Sequence, residues 1–397
     1  MTAANAASQP QQSRRFLLLY ALAVAGGAVA YVPFLTILLP VQVAAFDSGS
    51  AVKLLGLLAF AGAIAASLAN IGFGWLSDLS GVRRPWIAAG AVLSGVLLSA
   101  MRLVEDTTTL IALIIAWQFA LNMMLAPLAA WAGDSVPDAQ KGMLGGLLAI
   151  APAMGALSGA LVTIPGFAVT EVRPMVVAGL VAAMVLPVLI FGNPRPMPAL
   201  MDKSAPRAAT TRPRGTAARM WLARLLVQIA EAALFAYLLI WFRSVDAEFG
   251  DNDTAILFAI VLALAVPLAL LAGRWSDRAE RPVLPLTIGS GIGAFGLVVM
   301  GLAPSLTIAI AGYVVFGLAT SVFLALHSSQ TLRVLPSPRT RGRDLGVFNL
   351  TNTVPSLIMP WLTLALVPVF GFDALFMVLA ALSVVACILL MTLQRRI

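Results

Sequence analysis

Apolar runs of about 20 residues follow one another from end to end of this chain, and no other feature constrains its fold as strongly. A helix of that length crosses the ~30 Å hydrocarbon core of a bilayer. Twelve runs can be read, at about 16–45, 52–76, 86–103, 109–132, 143–165, 173–191, 219–243, 254–275, 282–302, 305–332, 345–369 and 371–392. They are continuously apolar rather than alternating, so helices are predicted and not a barrel. Composition agrees, since only 11% of the 397 residues are charged, against roughly 25% in an ordinary soluble domain. The predicted fold class is therefore an all-α membrane protein of twelve transmembrane helices.

The stretch 192–218 breaks the pattern near the middle of the chain. It opens with Asn193-Pro194-Arg195-Pro196-Met197-Pro198 and continues with Lys203, Arg207, Arg212 and Arg214. A polar, basic, Pro-rich segment reads as a linker. It divides the chain into a six-helix bundle over 1–191 and a second over 219–397. With the N-terminus inside, 20 of the 25 Lys+Arg fall in cytoplasmic segments, and only Lys53, Arg102, Arg173 and Arg243 fall outside. That bias predicts cytoplasmic N- and C-termini in an inner, plasma membrane. The net charge of +8 is explained the same way and does not imply a nucleic-acid partner. Ser13-Arg14-Arg15-Phe16-Leu17 has the look of a twin-arginine export signal. The run that follows is too long for a signal core, so the two arginines read as anchors of the first helix.

The halves repeat each other. Gly74-Trp75-Leu76-Ser77-Asp78 follows span 2, with Arg83-Arg84-Pro85 after it; Gly273-Arg274-Trp275-Ser276-Asp277 follows span 8, with Arg281-Pro282 after it, at an offset of 199 residues. Similar Pro-containing basic loops precede spans 5 and 11. Two loop matches at one offset are an internal repeat. Both halves start on the same side, so the repeat is parallel, about an axis along the membrane normal.

With these features the chain resembles the major facilitator superfamily over almost its whole length. The superfamily's loop, G-x-L-a-D-r-x-G-r-k, stands here as Gly74-Trp75-Leu76-Ser77-Asp78-Leu79-Ser80-Gly81-Val82-Arg83. It departs at Leu79 and Val82, where the family usually has basic residues. The second copy keeps Gly273, Asp277 and Arg278, with Glu280 near the expected glycine. The resemblance implies two pseudo-symmetric bundles that alternate access to a cavity between them, lined by spans 1, 4, 5, 7, 8, 10 and 11. Arg83-Arg84-Pro85-Trp86-Ile87 and Gly342-Arg343-Asp344-Leu345-Gly346-Val347-Phe348-Asn349 look like segments of sugar-symporter branches. Gly146, Gly155 and Gly159 have the spacing of drug-antiporter branches, but Ala160 stands where those carry proline.

The loop can also be read from its residues. Gly74, Gly81 and Gly273 would let helices approach closely. Asp78 or Asp277 can accept hydrogen bonds from a neighbouring helix N-terminus or pair with an arginine; Arg83, Arg84, Arg278 and Arg281 belong with them to the two gating loops. Such a contact is either a gating latch that breaks between states or a fixed loop anchor.

Polar side chains inside spans are costly and usually face a cavity. Arg224, Gln228 and Glu231 in span 7 lie at i, i+4 and i+7, on one helical face. Glu231 sits near mid-membrane, as a proton site or as half of a static ion pair with Arg224. His327 near the inner end of span 10 can shuttle protons or serve in packing. Gln118 and Asn122 share a face of span 4, and Asn349 and Asn352 lie within a turn in span 11. Amides suit a polar solute and also tie helices together. Tyr31, Gln42 and Asn70 are weaker candidates, and Trp241 near a span end reads as an interface anchor.

No P-loop occurs, and one cysteine (Cys387) with one histidine offers no metal spacing. No cofactor is expected, and an enzyme would need more than Glu231 at depth. The expected function is proton-coupled uptake of a small polar solute, a sugar or glycoside, by a carrier working as a monomer. The alternatives are proton-driven export of amphiphilic compounds and, in a different class, a membrane sensor or enzyme.

Overall fold

In lipid a backbone has no water to bond, so each apolar run must close its own N–H···O=C ladder. The computed structural model of the protein, which describes residues 11–46, 51–104, 106–137, 140, 143–144, 147–148, 150–197, 214–278, 281, 283–334 and 341–394, has a helix at every predicted span. The first, α1, runs as Arg14–Pro33, a π-helical stretch Phe34–Leu38, and Leu39–Phe46. Then come α2 (Ala51–Ser80), α3 (Arg84–Ala100), α4 (Thr107–Ser135), α5 (Ala151–Thr163) and α6 (Arg173–Phe191). The second half holds α7 (Arg214–Val245), α8 (Asp251–Arg278), α9 (Leu284–Gly301) and α10 (Leu306–Val334). Arg341–Gln394 is broken at Gly371, with φ 76° and ψ −179°, into α11 (341–370) and α12 (372–394).

Local chemistry sets the starts. Ser13 caps α1, its hydroxyl accepting from the Phe16 amide at 3.2 Å. Asp106 caps α4 through the Thr109 amide at 2.9 Å. Prolines occupy the first turn of α3, α5, α6 and α9, where a missing N–H is no loss. Several helices outrun the predicted spans. α7 begins at Arg214, inside the stretch read as linker, and α2 and α10 extend to Ser80 and Val334. These extensions are polar, so hydropathy alone ended the spans early.

Consecutive helices run in opposite directions, giving one basic face and one acidic face. The basic face carries Arg14, Arg83, Arg84, Arg195, Arg219 and Arg278; the opposite face carries Asp106, Asp246, Asp251 and Asp253. In the first half α1 packs on α5 and α6, α2 on α4, and α3 on α4 and α6. In the second half α7 packs on α10 and the α11–α12 pair, and α9 on α10 and that same pair. The repeat reappears in the packing. A Cβ on Gly90 of α3 would lie 2.4 Å from the Met124 amide nitrogen of α4. Its counterpart 199 residues later, Gly289 of α9, faces Phe323 of α10, whose Cβ would be 3.4 Å away. The same backbone crossing is built twice. Between halves, α5 meets α8, α2 meets α11, and the π-helical stretch of α1 meets α7.

Two sequence readings are corrected. Trp241 is 2% exposed and packs edge-on against Phe376 with ring centroids 4.8 Å apart, so it is a core residue and not an interface anchor. A Cβ on Gly74 would meet nothing within 4 Å, so this glycine does not serve a close helix approach here. Gly81 is needed for a different reason, since its φ of +66° is the left-handed region that favours glycine.

Candidate functional site

The three polar residues of α7 project from one face, as their spacing requires. Arg224 and Gln228 join each other and reach α11 together. Arg224 Nε donates to Gln228 Oε1 at 3.0 Å, Arg224 Nη2 donates to Asn352 Oδ1 at 3.3 Å, and Gln228 Nε2 donates to the same oxygen at 3.0 Å. Glu231 stands one turn further toward the acidic face, half-buried, where the Gln228 amide and the Arg224 charge bear on it. Tyr31 of α1 and Tyr313 of α10 are near enough to feel its charge. Tyr31 lies against Phe235, the rings tilted by 43° with centroids 6.4 Å apart, and Phe235 meets Phe258 edge-on at 6.3 Å. The site thus has a guanidinium and two amides toward the basic face, a carboxyl deeper in, and an aromatic wall beyond it.

The other candidates hold helices together, and among them His327 stands near enough to Arg224 to feel its charge. His327 is fully buried, its Nε2 2.9 Å from the Met220 carbonyl and its ring 5.5 Å from Phe323, so it ties α10 to α7. Asn122 accepts from Asn70 at 3.2 Å and donates to the Gln118 carbonyl at 2.9 Å, tying α4 to α2. Gln42 donates to the Met101 carbonyl at 2.9 Å, holding the acidic-face end of α1 to the turn that follows α3. The side chains of Asn349 and Asp277 lie outside what the structure describes.

The loop after α2 is a closed network within the first half. Arg83 binds Asp78 at 2.5 Å, Asp134 of α4 at 2.8 Å and the Ser77 hydroxyl at 2.6 Å. Burial pulls the Arg83 guanidinium down, but the hydrogen bonds and charges of Asp134 and Asp78 outweigh it and hold its pKa above the ordinary value. Asp134 was not foreseen, because 51 residues separate it from Arg83. Arg84 binds the Gly192 carbonyl and lies 5.5 Å over the Trp131 ring. In the second loop Arg278 and Arg281 are exposed, and the Arg281 amide donates to the Ser276 carbonyl at 3.2 Å. Gly273 would bring a Cβ within 3.3 Å of the flexible tip of Leu326.

Contacts across the halves cluster toward the acidic face. Arg173 of α6 pairs with Asp251 of α8. Thr163 of α5 donates to Asn252 of α8 at 3.1 Å. Phe60 of α2 meets Trp361 of α11 edge-on at 5.7 Å. At the basic face the contacts of Arg83 and Arg219 stay within one half, and those of Arg84 and Gln12 reach the start of the linker at Asn193 and Arg195. Among the described residues, the polar contacts between the halves therefore lie toward the acidic face.

The family model of the Major Facilitator Superfamily matches residues 16–303 and 220–396, so it covers both copies of the repeat. The chain belongs to the Major Facilitator Superfamily. It is a membrane transporter working by alternating access. Among solved structures it is similar to a bacterial homologue of the human lysosomal transporter Spinster in an inward-facing, unoccupied conformation. That match has 15% identity and a TM-score of 0.73 over 96% of each chain. The occupied inward-facing form of that protein matches with a TM-score of 0.71 at 14% identity, again over 96% of each chain. The human organic anion transporter MFSD10 (TETRAN) matches at 16% identity with a TM-score of 0.66, over 95% of this chain and 99% of that one. No curated protein sequence matches.

Proposed function

We propose that this facilitator is a proton-coupled carrier that takes up a small polar solute, with a sugar or glycoside as the first class to test. The single observation that carries this reading is the α7 face, where Glu231 lies beside the Gln228 amide and above the Arg224–Gln228–Asn352 cluster. An ionisable group at mid-membrane costs about 2.5–3.5 kcal/mol, so one facing the centre of a transporter is a functional group by default. Donors and acceptors at Gln228 and Asn352 suit hydroxyl-bearing solutes, and Glu231 takes and releases the proton. The charge bias of the loops supports placing the basic face in the cytoplasm of a plasma-membrane carrier. Asp78, held by Arg83 and 64% exposed, is poised to leave that partner for the second half in the opposite state. The linker near 192–218 joins two bundles that rock as units.

The test is uptake into vesicles under an imposed pH gradient with labelled sugars and glycosides. Glu231→Gln is expected to lower gradient-driven accumulation on the order of tenfold or more while leaving solute exchange across the membrane. Undiminished accumulation removes the proton role from Glu231. The aromatic series Tyr31–Phe235–Phe258 supports a second reading, proton-driven export of amphiphilic compounds. Dye efflux combined with indifference to sugars would favour it.

A further inference from the structure

The arginines of the basic face divide by partner. Arg83 holds the carboxylates of Asp78 and Asp134. Those gathered where α1 begins and α6 ends take neutral partners among the described residues. Arg15 lies 5.8 Å over the Phe191 ring. Arg84 lies over Trp131 and donates to the Asn193 amide oxygen at 3.1 Å. Arg195 donates to the Gln11 carbonyl at 3.1 Å, and Arg14 stands exposed beside Arg15. Positive charge therefore collects at one end of the α1–α6 pair, with rings and amide oxygens around it.

Next to this charge the surface turns apolar. Arg15, Leu18 and Leu22 lie at i, i+3 and i+7 on α1, and Leu186 and Ile190 lie at i and i+4 on α6. Leu18 is 58% exposed and Ile190 62%. The contact of Arg15 with Phe191 sets the two stripes side by side. The track ends at Gly26, where α1 and α6 cross so tightly that an added Cβ would lie 2.9 Å from Met184 Cβ. From Arg15 to Gly26 it is about 16 Å long, the depth of one leaflet of a ~30 Å core.

We infer that this track seats an anionic phospholipid, with its phosphate at Arg14 and Arg15 and an acyl chain along Leu18 and Ile190. A guanidinium offers phosphate two parallel N–H bonds. Each basic group near a headgroup strengthens binding about fivefold. Arg84 and Arg195 add positive potential without leaving their own partners. A soluble phosphate would use the charge and leave the apolar track empty. A zwitterionic lipid would use the track and bring no net negative charge to the arginines. An anionic lipid uses both. The site lies on the lipid-facing side of the first half and concerns neither the solute nor the proton.

The test is native mass spectrometry of the full chain, titrated in detergent with phosphatidylglycerol or with phosphatidylcholine of the same acyl chains. The first phosphatidylglycerol is expected to bind about tenfold more tightly than phosphatidylcholine. Arg14→Gln with Arg15→Gln, both at exposed positions, should remove that preference. Ile190→Gln keeps every charge and should weaken the first lipid about threefold to tenfold. Arg278→Gln with Arg281→Gln removes equal charge elsewhere on the basic face and should leave the preference intact. Glycerol phosphate, which has the headgroup chemistry without the chains, should not displace the bound lipid. The inference is overturned if the two lipids bind alike, if the Arg278 and Arg281 variant loses as much as the Arg14 and Arg15 variant, or if glycerol phosphate competes.

Discussion

On α1, Ala25, Val29 and Val32 are buried, and Val32 packs so closely on α5 that a Cβ on Gly155 would lie 2.8 Å from it. On α7 the residues 199 positions later are Arg224, Gln228 and Glu231. The counterpart of Ala153 on α5 is Asn352 on α11, which is the residue that accepts from Arg224 and Gln228. One seam, α1–α5, is therefore small and apolar, and its copy, α7–α11, is polar and charged. The signature loops differ in the opposite sense. Arg83 gathers Asp78, Asp134 and Ser77 in the first half, whereas the position matching Asp134 in the second half is Arg333. The repeat reproduces the backbone, and the side chains divide the work: the first half fixes its loop, and the second puts charge into the membrane.

The largest effect should come from erasing this difference. Arg224→Ala, Gln228→Val, Glu231→Val and Asn352→Ala together give the second half the residues of the first. Replacing a buried polar cluster by apolar residues is often neutral or stabilising. The quadruple variant is expected to stay folded, with a melting temperature within a few degrees of the parent, while solute transport in vesicles is lost. Retained transport would show that the two seams are functionally equivalent.

A middle-sized effect tests the loops. Arg83→Ala should cost about 1–2 kcal/mol by thermal unfolding, nearly all through Asp134. Asp78 is 64% exposed, so its arm of the network is screened by solvent and adds little. Arg281→Ala, in the exposed second loop, should stay within about 0.5 kcal/mol of the parent. Equal losses at Arg83 and Arg281 would make the two loops alike after all.

The smallest effect concerns the acidic face. The Asp106 carboxyl is held below its ordinary value of 3.8, first by the Thr109 hydroxyl and then by the Thr109 amide. A carboxyl depressed in the folded state contributes stability that is present above the unfolded value and is lost as pH falls through the folded one. A melting series below pH 4 should therefore show a slightly steeper acid loss in the parent than in Asp106→Ala. Identical slopes would mean that this cap does not contribute.

Much of the architecture was legible because hydropathy, loop charge and the two signature loops are local or periodic properties. The spans, the repeat and the one-sided α7 face follow from spacing alone. Pairings across many residues were not legible. Asp134 meets Arg83, Asn70 meets Asn122, and Arg173 meets Asp251 only after α2, α4, α6 and α8 are packed. One clue to the last pair was available, since Arg173 is among the few basic residues on the acidic side. Trp241 was misjudged because position near a span end does not reveal whether a ring turns toward lipid or toward Phe376.

By itself the sequence determined a membrane-embedded bundle of twelve helices in two related halves, because the energetic demand of lipid is written into every run of about 20 residues. Tertiary structure alone decided which charges meet, which helices cross between the halves and which glycines matter. Those outcomes depend on helix rotation and neighbour distance, and a linear pattern leaves both open until the halves have packed.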